Sequence, residues 1–333
     1  MVVLYHAGIR SMPGGFGVLT FLVMSGFLIT HLLLRENERT GTVALGKFYA
    51  RRSLRIFPAF YVYWIVVVVD MLLRHRNVWM RDVCAFFYVS NYYQGLHGYP
   101  YSLLGHTWSL SVEEQFYLLW PGLFLCLRQR LPQLRTLLLL LIPAIWLLRI
   151  YLNFHLNEAY IYTAFETRVD ALLCGCLLSI ASYTGYAKEL LGRMREKRAI
   201  AGIFSLLLVS LISATYLGVS YRNIVGFAID PPLVALLIAG LTCTSGWVWM
   251  DSPPVTYLSR ISYSTYLYQE AVIPAWKHLH LPLMVSVPGA LIAVWCIAML
   301  SYEFVEKPFL RLKPHFEVIH VKPTKGEPNS GHT

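Results

Sequence analysis

Apolar positions along this chain are grouped into long, nearly unbroken runs separated by short polar stretches. The runs lie at about 1–9, 16–34, 56–73, 108–127, 136–152, 169–183, 199–217, 225–245, 262–280 and 284–304. An α-helix needs about 20 consecutive apolar residues to cross the hydrocarbon core of a bilayer, and most of the runs approach that length. The pattern predicts an all-α, polytopic transmembrane helix bundle of about ten spans. The first run, MVVLYHAGI, holds about half of a span. It predicts a truncated first helix or a true start upstream of Met1. A weaker run at about 83–93 (VCAFFYVSNYY) is short and aromatic. It reads as a re-entrant or interfacial piece, with a full crossing as the alternative.

Composition agrees with the pattern. Of the 333 residues, 56% are hydrophobic and only 14% charged, with a mean hydropathy of +0.52. Soluble domains carry about 25% charged residues, so an ordinary soluble protein is excluded. A disordered chain is excluded as well, because such a chain needs low hydrophobicity to stay solvated. About ten helices occupy most of the length, giving one integral membrane domain over residues 1–312. The polar segment 313–333 is expected to be a disordered cytoplasmic tail. No internal repeat and no soluble catalytic domain is apparent. No signal peptide is expected, because no basic segment precedes the first apolar run.

The net charge of +10 would suggest nucleic acid in a soluble protein, but in a membrane protein it acts first as a topology code. With both termini in the cytoplasm of a multi-pass inner-membrane protein, and 83–93 not crossing, 20 of the 28 Lys and Arg fall in cytoplasmic loops. A crossing at 83–93 would leave only 8 there. No nucleic-acid partner is expected. The six cysteines lie mostly in apolar runs, and Cys174 and Cys176 are too close for a usual zinc pair, so neither a disulfide framework nor a metal site is expected.

Ionisable groups inside or at the edge of apolar runs are costly and mark candidate chemistry. His6, near the outer end of the first run, has the residue type of a general base at neutral pH; the bland alternative is an interfacial histidine. Arg52 and Arg55 share a helical face at the cytoplasmic edge of the third run. They could clamp phosphates, or simply anchor the topology as Arg51 does. Glu113 and Tyr117, four apart, make an inward stripe beside Glu114; the alternative is a set of acids favoured by a helix dipole. Glu166, Arg168 and Asp170 cluster where a loop meets the next run, as an ion pair or as substrate contacts. Asp70 has no evident partner. Ser262 to Tyr266 supply hydroxyls for interhelical bonds. Glu303 and Glu306 are three apart, and Lys307 suggests a surface role for Glu306.

These segments resemble the acyltransferase-3 family of integral membrane acyltransferases. The matching stretches are Gly15-Phe16-Gly17-Val18 with Phe21 to Thr30 (FLVMSGFLIT), Phe48 to Pro58 (FYARRSLRIFP), Trp108 to Tyr117 (WSLSVEEQFY), Thr167 to Leu172 (TRVDAL) and Ser301 to Phe309 (SYEFVEKPF). The resemblance runs in order over about residues 1–313. It implies a ten-helix acyltransferase acting on hydroxyls of carbohydrates, glycolipids or small natural products. Acyl-coenzyme A, most often acetyl, is the implied donor substrate, and no tightly bound cofactor is implied. It places the catalytic histidine at His6 and the paired arginines at Arg52 and Arg55. Two departures stand out. The family's arginine eleven positions before the histidine would precede Met1, which raises the alternative of an inactive relative. Gln269 stands where the family usually has histidine, so that position is expected to be structural here.

The expected mechanism is O-acyl transfer across the membrane to a glycan, glycolipid or related hydroxyl. Arg52 and Arg55 hold the donor phosphates, and His6 deprotonates the acceptor or carries the acyl group transiently. Glu113 is expected to orient His6, with Tyr117, Arg168 and Asp170 contacting substrate. The rival from another class is a transporter or flippase for a glycan intermediate, which predicts inverted repeats and interrupted helices.

Overall fold

A computed structural model describes residues 2–7, 9, 14–194, 196–243, 251–277, 279 and 282–317. Among these residues every regular element is helical. Each predicted run falls on its own helix: α1 (Val2–Ala7), α2 (Gly14–Thr40), α3 (Leu45–Leu73), α6 (Trp108–Leu127), α7 (Leu131–Asn153), α9 (Phe165–Thr184), α11 (Lys197–Tyr221), α12 (Phe227–Cys243), α13 (Pro253–Lys277) and α14 (Leu283–Ser301). Between them lie the short helices α4 (Met80–Phe86), α5 (Ser90–His97), α8 (Glu158–Thr163), α10 (Lys188–Arg193) and α15 (Lys307–Leu310). Five helical stretches are long and apolar enough to cross a membrane: Gly14–Thr40, Leu45–Leu73, Leu131–Asn153, Lys197–Thr242 and Met284–Leu310. The protein is a multi-pass helical bundle.

The weak run at 83–93 resolves into α4 and α5, of 7 and 8 residues, joined where Tyr88 takes a φ of 54°. Neither helix is long enough to span a bilayer. Asp82, in the first turn of α4, caps it by accepting from the Trp79 N–H (3.0 Å). The start of the expected tail also differs from expectation. Residues Lys313–Phe316 form a 3-10 turn against α3, and the Phe316 carbonyl accepts from Arg51 Nη1 at 2.7 Å. The rest of that tail, 318–333, lies outside the described residues.

The core is organised on α2 and α9. A Cβ on Gly26 would lie 2.0 Å from the Leu172 carbonyl oxygen, and one on Gly175 would lie 2.0 Å from that of Val23. Only hydrogen at both positions lets the two backbones meet, the small-residue packing by which helices associate in lipid. α9 is therefore buried on all sides along most of its length, whereas α11 and α14 turn Phe204, Val209, Leu217, Ile292 and Leu300 outward. In a membrane protein those exposed apolar faces meet lipid.

Candidate functional site

At one end of the bundle, α1 rests on α13 and α14 through Ala7, Ile273, Ala290 and Val294. This short contact places His6, in the last turn of α1, over α13. His6 Nδ1 lies 2.6 Å from Glu270 Oε1, and the His6 main-chain carbonyl, left open by the helix end, accepts from Lys277 Nζ at 2.7 Å. A carboxylate on Nδ1 fixes the proton there and leaves Nε2 as the free acceptor. Glu270 is the carboxylate that orients His6. Glu113, expected in that role, points elsewhere.

His106 is buried beside this pair, between the rings of Tyr63 (5.8 Å) and Tyr266 (5.3 Å). It belongs to a 3-10 turn, Gly105–Thr107, that leads into α6. Burial pushes its imidazole down to about 4, against the pull of Glu270, so the ring is neutral at physiological pH. Its nitrogens face the carbonyls of Leu103 and Leu267 without completing a hydrogen bond. Tyr266 ties the turn to α13: its hydroxyl pairs with Ser109 Oγ (2.6 Å) and donates to the His106 carbonyl (2.8 Å). Gln269 is fully buried, and among the described residues neither atom of its amide has a hydrogen-bond partner.

Glu113, deeper in α6, accepts from Ser25 Oγ of α2 and from the Tyr117 hydroxyl, and is itself buried. The Arg52 guanidinium lies over the Tyr117 ring, 4.9 Å from its centroid. Ser25, Glu113 and Tyr117 thus form one polar group in the bundle core, with Arg52 against it. The inward stripe of Glu113 and Tyr117 is present as expected. Glu114 also lies near Arg52, with Oε1 buried and without a hydrogen-bond partner among the described residues.

At the opposite end, Arg51 is consumed by structure. Its Nη2 pairs with Glu36 (2.9 Å), whose other oxygen caps the start of α3 at Ala44 (2.7 Å). Arg52 and Arg55, one turn apart on α3, are half-buried and have no ion-pair partner among the described residues. The 3-10 turn brings Lys313 close to them. Desolvation and the three arginines lower its ammonium pKa, while Glu317 opposes them.

The trio Glu166, Arg168 and Asp170 does not form the mutual ion pair the sequence suggested. Asp170 accepts from Arg149 Nη2 and Trp146 Nε1 (3.1 Å), while Glu166 accepts from the hydroxyls of Tyr92 (2.9 Å) and Tyr160 (2.5 Å). Arg168 instead stacks on Phe227, 3.9 Å from the ring centroid. On a helix, residues two apart point to different sides, which turns Arg168 away from both acids. Glu306 departs from expectation too. It is fully buried and bonded by Ser264 Oγ (2.5 Å), while Lys307 pairs with Glu303. Asp70 pairs with Arg74 at the surface (2.8 Å). Among the described residues no cluster of three His, Cys, Asp or Glu could hold a metal.

The family model for the acyltransferase-3 domain matches residues 1–303. The chain belongs to that family. It is an acyltransferase. Relatives include the peptidoglycan O-acetyltransferase OatA of Listeria monocytogenes, 29% identical over 92% of this chain and 53% of that protein. A putative O-acetyltransferase of Staphylococcus aureus is 29% identical over 92% of this chain and 55% of its own length. The O-acetyltransferase OatA of Staphylococcus aureus is 28% identical over 92% and 54%. The chain spans about half the length of these curated relatives. No solved structure matches it.

Glu270, Tyr266, His106 and Arg149 were not singled out as site residues from the sequence. A signal for Glu270 lies in the sequence, where it is a carboxylate inside an apolar run.

Proposed function

We propose that the acyltransferase-3 domain of this chain moves an acetyl group from acetyl-coenzyme A to a hydroxyl of a cell-surface glycan. The observation that carries this reading is the His6–Glu270 pair at one end of the bundle, with Arg52 and Arg55, free of ion pairs among the described residues, at the other. Phosphates of the donor bind Arg52 and Arg55 on the cytoplasmic side of the inner membrane, the side on which Lys313 lies near them. The pantetheine arm follows the polar groups past Tyr117 and Glu113. His6 Nε2 takes the proton of the acceptor hydroxyl as its oxygen attacks the thioester carbonyl. The C–S bond breaks, the ester C–O bond forms, and the imidazolium returns its proton to the departing thiolate. Glu270 holds the ring and stabilises its positive charge between the two transfers. Arg168 and Asp170, at the His6 end, belong to the acceptor side. The relatives' names favour peptidoglycan as the glycan.

The test is acetyl transfer in proteoliposomes, with acetyl-coenzyme A on the Arg52 side and peptidoglycan fragments on the His6 side. Acetyl ester on the fragments, lost in His6→Ala with the fold intact, supports the reading. Equal ester formation by His6→Ala refutes it.

A further inference from the structure

Buried polar atoms gather in one neighbourhood: among the described residues Arg168 Nε and Nη2 and Arg149 Nη1 complete no hydrogen bond, and Asp230 Oδ1 and Ser210 Oγ approach each other without completing one. The guanidiniums of Arg168 and Arg149 lie over the same Phe227 ring, at 3.9 and 5.6 Å from its centroid. Asp230 faces Arg168 and Ser210. The remaining charges nearby are engaged, Asp170 by Arg149 and Glu158 by Arg222 (2.8 Å). Orphaned donors and acceptors are costly inside a bilayer, where hydrocarbon offers them nothing.

The backbone is irregular at the same place. Gly218 has φ 81° and ψ −166° inside α11, and a π-turn follows at Arg222–Gly226. Non-helical backbone at membrane depth is tolerated where it is buried in protein or lines a cavity, and π-turns recur at functional sites.

The neighbourhood also adjoins the catalytic end. Tyr162 lies under Arg168 (5.5 Å) and Arg222 (5.1 Å) and packs on Trp108 (5.0 Å). The next residue, Ser109, holds Tyr266 against the His106 turn.

A simple anion would meet Asp230, and a cation would meet three arginines. A sugar ring suits both sets, because each hydroxyl can accept from arginine and donate to aspartate while the C–H face lies on an aromatic ring. We propose that Arg168, Arg149, Asp230 and Ser210, with Phe227 and Tyr162, form a subsite for a sugar ring of the acceptor glycan, adjoining the residue that is acylated. The subsite rests on the reading of this protein as a glycan O-acetyltransferase. It makes the acceptor an oligosaccharide rather than a single sugar.

The experiment uses the chain in lipid nanodiscs and a tritiated tetrasaccharide of alternating N-acetylglucosamine and N-acetylmuramic acid, with equilibrium binding and melting temperature both measured. Asp230→Asn should weaken binding about ten-fold and Ser210→Ala about three-fold, at unchanged melting temperature. Where Asp230→Asn does not fold, Ser210→Ala carries the test. No binding by the wild type overturns the subsite. So does wild-type affinity in folded Asp230→Asn and Ser210→Ala, the result expected if water alone fills the cluster. Binding that depends on Asp230 without any acetyl transfer from acetyl-coenzyme A would leave the subsite standing and remove the proposed function.

Discussion

The two ends of the bundle carry different kinds of chemistry and are assembled in different ways. At the Arg52 end the charges come from one stretch of α3, and the structure sorts them. Arg51 is locked to Glu36 and to the Phe316 carbonyl, while Arg52 and Arg55 form no ion pair among the described residues. At the His6 end the paired groups come from opposite ends of the chain. His6 and Glu270 meet only because α1 docks on α13, and His106 arrives on the turn before α6. A charge cluster made by one helix can bind phosphate with little help from the rest of the fold. An oriented base requires several helices to be packed correctly.

Variants at the two ends should therefore fail differently. The largest effect is expected from His6→Ala, a fall in kcat of roughly 10²–10⁴-fold with little change in donor KM, read by steady-state acetyl transfer. Glu270→Gln should lower kcat about 10²-fold, because the ring loses both its fixed tautomer and its counter-charge. An unaltered rate in Glu270→Gln would make the pair a mere helix contact. At the opposite end, Arg52→Ala and Arg55→Ala should each raise the donor KM by about 10-fold or more, the worth of a charge-assisted hydrogen bond, and leave kcat closer to wild type. A loss confined to kcat would place these arginines in transition-state stabilisation instead. Gly26→Val should destabilise the bundle by about 1–3 kcal/mol through α2–α9 overpacking, lowering the melting temperature and the activity of both ends together. The smallest effect is expected from Arg51→Met: about 1 kcal/mol of stability from a partly buried pair, with donor KM unchanged. A rise in donor KM there equal to that of Arg52→Ala would erase the distinction between the neighbouring arginines.

How much could be read before any coordinates follows the same division. Helix positions, the shared face of Arg52 and Arg55 and the inward stripe of Glu113 and Tyr117 are all local properties of apolar runs and helical spacing. Each was legible. The pairing of Glu113 with Ser25, of Asp170 with Arg149 and of Glu306 with Ser264 was not, because each joins helices far apart in the chain. Lys307 beside Glu306 in sequence suggested a surface acid. One residue of helical rotation sends Glu306 inward and leaves Glu303 to the lysine. The expected tail failed at its first turn for a similar reason. A polar, proline-containing stretch looks solvated until Arg51 accounts for the carbonyl that holds it.

By itself, then, the sequence determined that this is a helical membrane protein, which segments form its helices, and which family motifs they carry. Hydrophobic run length and residue spacing act through neighbours a few positions away, so they can be read along the chain. Only the tertiary structure decided which carboxylate orients His6, which arginine is left unpaired, and why Gly26 and Gly175 must be glycine. Those outcomes depend on how helices pack, and packing is set by contacts between residues that the linear order keeps apart.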